Sequence, residues 1–281
     1  MTITDILQPV YELQGNQFVF IPCTIDTYKK TDFGTTYQNT YWDNMTQTSE
    51  MEQISKYGGF YVGRYEAGLA SAISPSATSQ THTTTNQVYN LDGIPESKPG
   101  KIPWTFIDWT KAQKNSRSMY NSNYVISGLI SGTMWDTMIN KISAADSTKS
   151  VTSTTWGNNK NQQVTYNGKI ASATLSTNWS ITPFGGYVKG GTKASSTGNN
   201  GWMLTTGASE QVKGYNLYDV SGNVWEWTED SSYYGGNTNT QYRLARGGGF
   251  IDTHPTCYRA GTITNIYTGF HMGFRVALYM K

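Results

Sequence analysis

The stretch Tyr215-Asn-Leu-Tyr-Asp-Val-Ser-Gly-Asn-Val-Trp-Glu-Trp-Thr-Glu-Asp230 constrains this chain most. Trp225 and Trp227 stand two residues apart, so an extended backbone points both indoles to one face and turns Val224 and Glu226 to the other. Rings of that size need a core to cover them. Just upstream, Asp219, Gly222 and Asn223 are turn formers. With Glu226 they bring carboxylates and glycine-freed backbone carbonyls into one tight turn, clamped to an aromatic core.

Two later stretches carry further motifs, Arg246-Gly-Gly-Gly-Phe250 and Gly273-Phe-Arg-Val-Ala277. In this order the three resemble the signatures of the formylglycine-generating enzyme, or sulfatase-modifying factor, family: its Gly-Asn-x-Trp-Glu-Trp, its Arg-Gly-Gly-Ser-Trp and its closing Gly-Phe-Arg-x-Ala. The resemblance implies an α+β chain with the C-type lectin fold, in which mixed β-sheets carry two packed helices and long irregular loops. It places that domain at residues 56–281, with residues 1–55 a strand-and-loop portion integral to the fold. It also matches Asp219, Gly222, Val224 and Glu226 to a structural calcium site of the family, and hard oxygen donors in a glycine turn suit Ca²⁺. The other reading of these residues is that both carboxylates cap backbone amides of the turn.

Charge is sparse, 14% of residues with a net of +2, and gives no hint of a nucleic-acid partner. The 20 tyrosines, beside many Gly, Ser, Thr and Asn, match the composition of adaptable binding surfaces. No apolar run is long enough to span a bilayer, so no membrane insertion is expected. Residues 1–10 lack the basic start and apolar core of a signal peptide. Cys23 and Cys257 do not make a disulfide framework.

Along the chain, the apolar run 17–22 ends in proline and reads as a strand. Residues 31–50 read as polar loop. The aromatic, alternating stretch 58–66 reads as a strand, with Glu66 a structural hydrogen-bond acceptor. Thr110 is placed to cap a helix over 111–119. Met134, Trp135, Met138, Ile139 and Ile142 fall at helical spacing and predict an amphipathic helix over 131–142 with that stripe inward. The stretches 71–90, with its solvated His82, and 144–200 read as loops.

Function turns on the C-terminal segment. Cysteine oxidation by the family's enzymes needs two cysteines five positions apart, because one thiolate does not make a two-coordinate Cu(I) site. Counted back from Gly273, Cys257 takes the second place and Asp252 stands at the first. A related branch uses histidine-bound iron, but only His82, His254 and His271 are present and no ligand motif joins them. No catalytic cofactor is therefore expected; the alternative is a diverged formylglycine-generating-type or non-haem-iron oxidase.

The fold's non-enzymatic members include the variable proteins of diversity-generating retroelements. Their C-terminal segment is rewritten at adenines, and the diversified codons do not specify Lys, Glu, Gln, Met or Trp. Those five types make up 54 of the 281 residues; about four would fall by chance between Phe250 and His271, and none does. The segment lies between the second and third motifs. The expected ligand contacts are Phe250, Ile251, Asp252, His254, Thr256, Tyr258, Thr262, Thr264, Tyr267, Phe270 and His271. The expected partner is a protein or glycan on a host-cell surface, and the expected location a phage tail, or the bacterial cytoplasm before assembly.

Overall fold

β-Branched and aromatic residues near the start of the chain pair with those at its end. The structure is a computed structural model and describes residues 10–37, 41–42, 48–69, 92–160, 162–166, 170–172, 191–193, 203–233, 241–262, 269 and 271–281. In order, its elements begin with β1 (Val10–Leu13), β2 (Asn16–Pro22), β3 (Tyr41–Trp42), α1 (Thr48–Tyr57) and β4 (Gly59–Gly63). They continue with α2 (Trp109–Ser118), β5 (Val125–Leu129) and α3 (Gly132–Ala145). Then come β6 (Val164–Tyr166), β7 (Ile170–Ser172), β8 (Gly191–Lys193), β9 (Met203–Leu204), β10 (Lys213–Gly214) and β11 (Leu217–Tyr218). The last are β12 (Trp225–Tyr233), β13 (Gln241–Arg246), β14 (Ala260–Thr262), β15 (Met272–Phe274) and β16 (Val276–Met280).

One antiparallel sheet runs β1-β2-β4-β16-β5, so the last strand lies between strands from the first half of the chain. A second runs β14-β13-β12-β15, with β3 also on β12. This sheet brings the three motifs together. Glu226 lies opposite Arg246 on one side, and Trp225 and Trp227 lie beside Met272 and Phe274 in a parallel pairing on the other. Both indoles join one core cluster with Trp104, Ile107 and Phe274. The mixed sheets and packed helices are the α+β architecture expected of the C-type lectin fold.

Helix α3 follows its sequence pattern. Met134, Trp135, Met138, Ile139 and Ile142 are all buried, and Ser131 caps the helix by accepting from Met134 N at 3.1 Å. Helix α2 begins earlier than expected: Asp108, not Thr110, is the cap and accepts from Lys111 N at 2.8 Å. Helix α1 falls partly in a stretch read as loop. Its inward face carries polar side chains, Glu50 and Gln53 beside Ile54, all buried, so no apolar stripe marks it. Glu66 is a buried acceptor, taking Asn223 Nδ2 at 2.7 Å and Val224 N at 3.0 Å.

Candidate ligand-binding site

Trp225 opens β12, and the loop after β13 curls against it. That loop starts with the three glycines of the second motif. Gly247 and Gly248 have φ of +92° and +76°, and a Cβ on Gly248 would stand 2.6 Å from His254 O. Only glycine allows the chain to turn this tightly. A single carboxylate then holds the curl. Asp252 accepts from Trp225 Nε1 at 2.7 Å, from Gly249 N at 3.2 Å and from His254 N at 3.1 Å. His254 Nδ1 also lies 3.2 Å from it. The backbone carbonyl of Asp252 accepts from Lys160 N at 3.0 Å, which ties the loop to the middle of the chain.

Three rings gather round this carboxylate. The centroids of His254 and Tyr258 are 4.2 Å apart, those of Trp225 and His254 5.3 Å, and those of Trp225 and Tyr258 6.1 Å. The His254 side chain is 42% exposed and that of Asp252 only 19%, so the imidazole forms the accessible part and the carboxylate its support. His271 is half-buried, close enough to Asp252 to feel its charge. Burial lowers its pKa to about 4, although Asp252 pulls the other way, so its ring is neutral at pH 7. Rigid rings with polar edges offer contact area at little entropic cost.

Of the expected contacts, the structure brings Asp252, His254 and Tyr258 into this platform, with His271 behind. Ile251 is half-buried beside it, against a small cluster of Phe106, Met203, Val224 and Phe250. Two expectations are corrected. Phe250 is fully buried in that cluster, and Thr256 is 1% exposed, its hydroxyl donating to Val151 O at 3.1 Å; neither presents a side chain to a ligand. The backbone of Thr262 pairs with Arg243 in the second sheet, while its side chain and Thr264, Tyr267 and Phe270 lie outside the described residues. Trp225 is the member that sequence reasoning assigned wholly to the core. Its indole N–H finds its partner 27 residues away, and no local pattern reports that.

The residues matched to calcium are arranged otherwise. Arg275 donates from Nε to Glu226 Oε2 at 2.9 Å and from Nη2 to Glu226 Oε1 at 2.6 Å. The same guanidinium donates to Gly63 O and Tyr218 O, both at 2.9 Å. Asp219 accepts from Gly207 N at 2.7 Å. The positive charge at Glu226 is thus supplied by Arg275, and the set Asp219, Gly222, Val224 and Glu226 does not fit a hard cation.

The oxidase chemistries fit no better. Cys257 is fully buried, and burial pushes its thiol up to about 11, far from the thiolate that binds copper or attacks a disulfide. Asp252, in the other cysteine's place, is committed to the loop. For iron, no group of three His, Cys, Asp or Glu side chains among the described residues is placed to hold a metal, and His82 lies outside those residues.

Residues 34–280 match the family model described as sulfatase-modifying factor enzyme 1-like domain. No curated protein matches the sequence. Among solved structures, the crystal structure of CarF is 15% identical, with a TM-score of 0.46 over 80% of this chain and 87% of that one. Treponema denticola variable protein 1 is 11% identical, with a TM-score of 0.45 over 96% of this chain and 98% of that one. With the motifs on adjacent strands and the match running through nearly the whole chain, the protein belongs to the sulfatase-modifying factor enzyme 1-like domain family.

Proposed function

We propose that this chain is a non-enzymatic ligand-binding protein of the diversity-generating-retroelement kind, displaying residues 250–271 as a changeable surface on a fixed scaffold. One observation carries the reading. The partly exposed His254–Tyr258 ring pair stands on the one inter-motif segment that lacks Lys, Glu, Gln, Met and Trp, while the motif residues Trp227, Arg246 and Phe274 are fully buried. The ligand is a protein or glycan on a host-cell surface, and the protein acts on a phage tail. Tyrosine and histidine rings supply the contact energy, as aromatic anchors do.

Sequencing the DNA beside the gene tests the origin. A reverse-transcriptase gene and a near-copy of the 3′ end, differing at adenines, are expected; a neighbourhood with neither sinks the proposal. The surface is tested by replacing Ile251, His254 and Tyr258 together with Ser, Asn or Tyr. All three are partly exposed, and Ile251 and Tyr258 also pack on apolar clusters, so the protein should stay folded with its Tm lowered by several degrees. Collapse of the fold would make these residues core.

A further inference from the structure

Helix α1, the C-terminal end of α2, and strands β5 and β16 enclose a groove of about 620 Å³. That is within the range of small-molecule sites, about 300–1,000 Å³. None of its lining residues belongs to the Asp252 platform. The Tyr279 ring packs over Gly128, where a Cβ would stand 3.0 Å from the ring, so the glycine makes room for the aromatic floor. Tyr57 and Tyr120 also line the groove.

Gln53 supplies a buried polar group. It is 5% exposed, and its Oε1 accepts from Met280 N at 3.0 Å, which fixes the amide's orientation. Its Nε2 is buried with no partner among the described residues, and a buried donor left unmet costs about 1–3 kcal/mol, which an acceptor reaching it would recover. Glu229 contributes a carboxylate, accepting from Gln113 Nε2 at 2.7 Å with Arg117 Nη2 at 3.6 Å. Lys56 stands 4.9 Å from the centre of the Tyr57 ring. The lining sets Lys56, Arg117 and Lys281 against Glu52 and Glu229, a near balance that favours no strongly charged ligand.

A fixed amide donor, a carboxylate acceptor and tyrosine faces in one charge-balanced cavity match the alternating hydroxyls and C–H faces of a sugar. We propose that this groove binds a short neutral saccharide, as a second site independent of the residues 250–271 surface.

The test is ligand-observed NMR of the full chain with glucose, galactose, N-acetylglucosamine, cellobiose, lactose and chitobiose. At least one should bind at millimolar concentration. Its affinity should fall about tenfold, near 1.4 kcal/mol, in Gln53→Leu and in Arg117→Ala, and should be unchanged in the double variant His254→Ala/Tyr258→Ala. Arg117 is largely exposed, so its variant keeps the test readable if Gln53→Leu does not fold. The proposal is overturned if none of the six sugars binds, if binding survives Arg117→Ala, if only the platform variant abolishes it, or if glucuronate binds more tightly than glucose.

Discussion

At Asp252 one carboxylate supports an indole, an imidazole and two backbone amides. It is thus a positioning residue for the platform, with little of its surface left for a partner. Asp252→Ala would leave the Trp225 N–H and the Gly249 amide without acceptors, at a cost of about 1–3 kcal/mol. Asp252→Asn keeps one acceptor oxygen and should cost less. Thermal unfolding with near-ultraviolet circular dichroism reads both the stability and the Trp225 environment. An Asp252→Ala protein with unaltered Tm and aromatic spectrum would show that the loop is held by something else. If residues 250–271 are diversified, Asp252 is the exposed-segment position least free to change.

The elements that carry this loop are locked from below by helix α3. Its buried Asp136 accepts from Arg246 Nη2 and Arg259 Nη2, both at 2.5 Å, and takes Thr31 N at 2.9 Å. Arg246 ends β13 and Arg259 precedes β14, so one carboxylate fastens both ends of the intervening loop. Removing one member of a buried ion pair strands the others; Asp136→Ala should cost about 3–5 kcal/mol, measured by urea unfolding. A loss below about 1 kcal/mol would mean that the arginines find other partners. The inward stripe of α3 was legible because five apolar residues repeat at helical spacing. Asp136 was not, because its partners lie 110 and 123 residues away. Helix α1 escaped notice for the opposite reason: Glu50 and Gln53 occupy positions where a periodic reading looks for apolar residues. The strands and their motifs were legible through alternation and glycine, while the platform emerged only when β12 met the loop after β13.

Across the whole molecule, buried charge sets the response to pH. Glu66, Asp219 and Glu226 are fully buried around a single Arg275. Burial raises all three carboxyls, with Asp219 reaching about 7. An unfolded Asp ionises near pH 3.9, so between about pH 4 and pH 7 the folded chain holds a proton that the unfolded chain has released. Asp219 therefore contributes stability that is lost as pH rises through that window. His271 acts in the opposite sense, because its folded pKa of about 4 lies below its unfolded one. Comparison with Asp219→Asn separates the two. The stability of the native protein relative to this variant should decline from pH 4.5 to pH 7, read by thermal melts across about that range; a constant difference would rule out the proton at Asp219. The position of β16 has a separate consequence. It follows the other strands in chain order yet lies inside the first sheet, between β4 and β5. A stop codon within residues 250–271 would delete β15 and β16 together, and a frameshift would replace their residues. Such a product lacks an interior strand of the first sheet and one side of the Trp225–Trp227 pairing, so it is expected to unfold. The fold is therefore expected to reject truncated and frame-shifted chains, whatever sequence that segment carries.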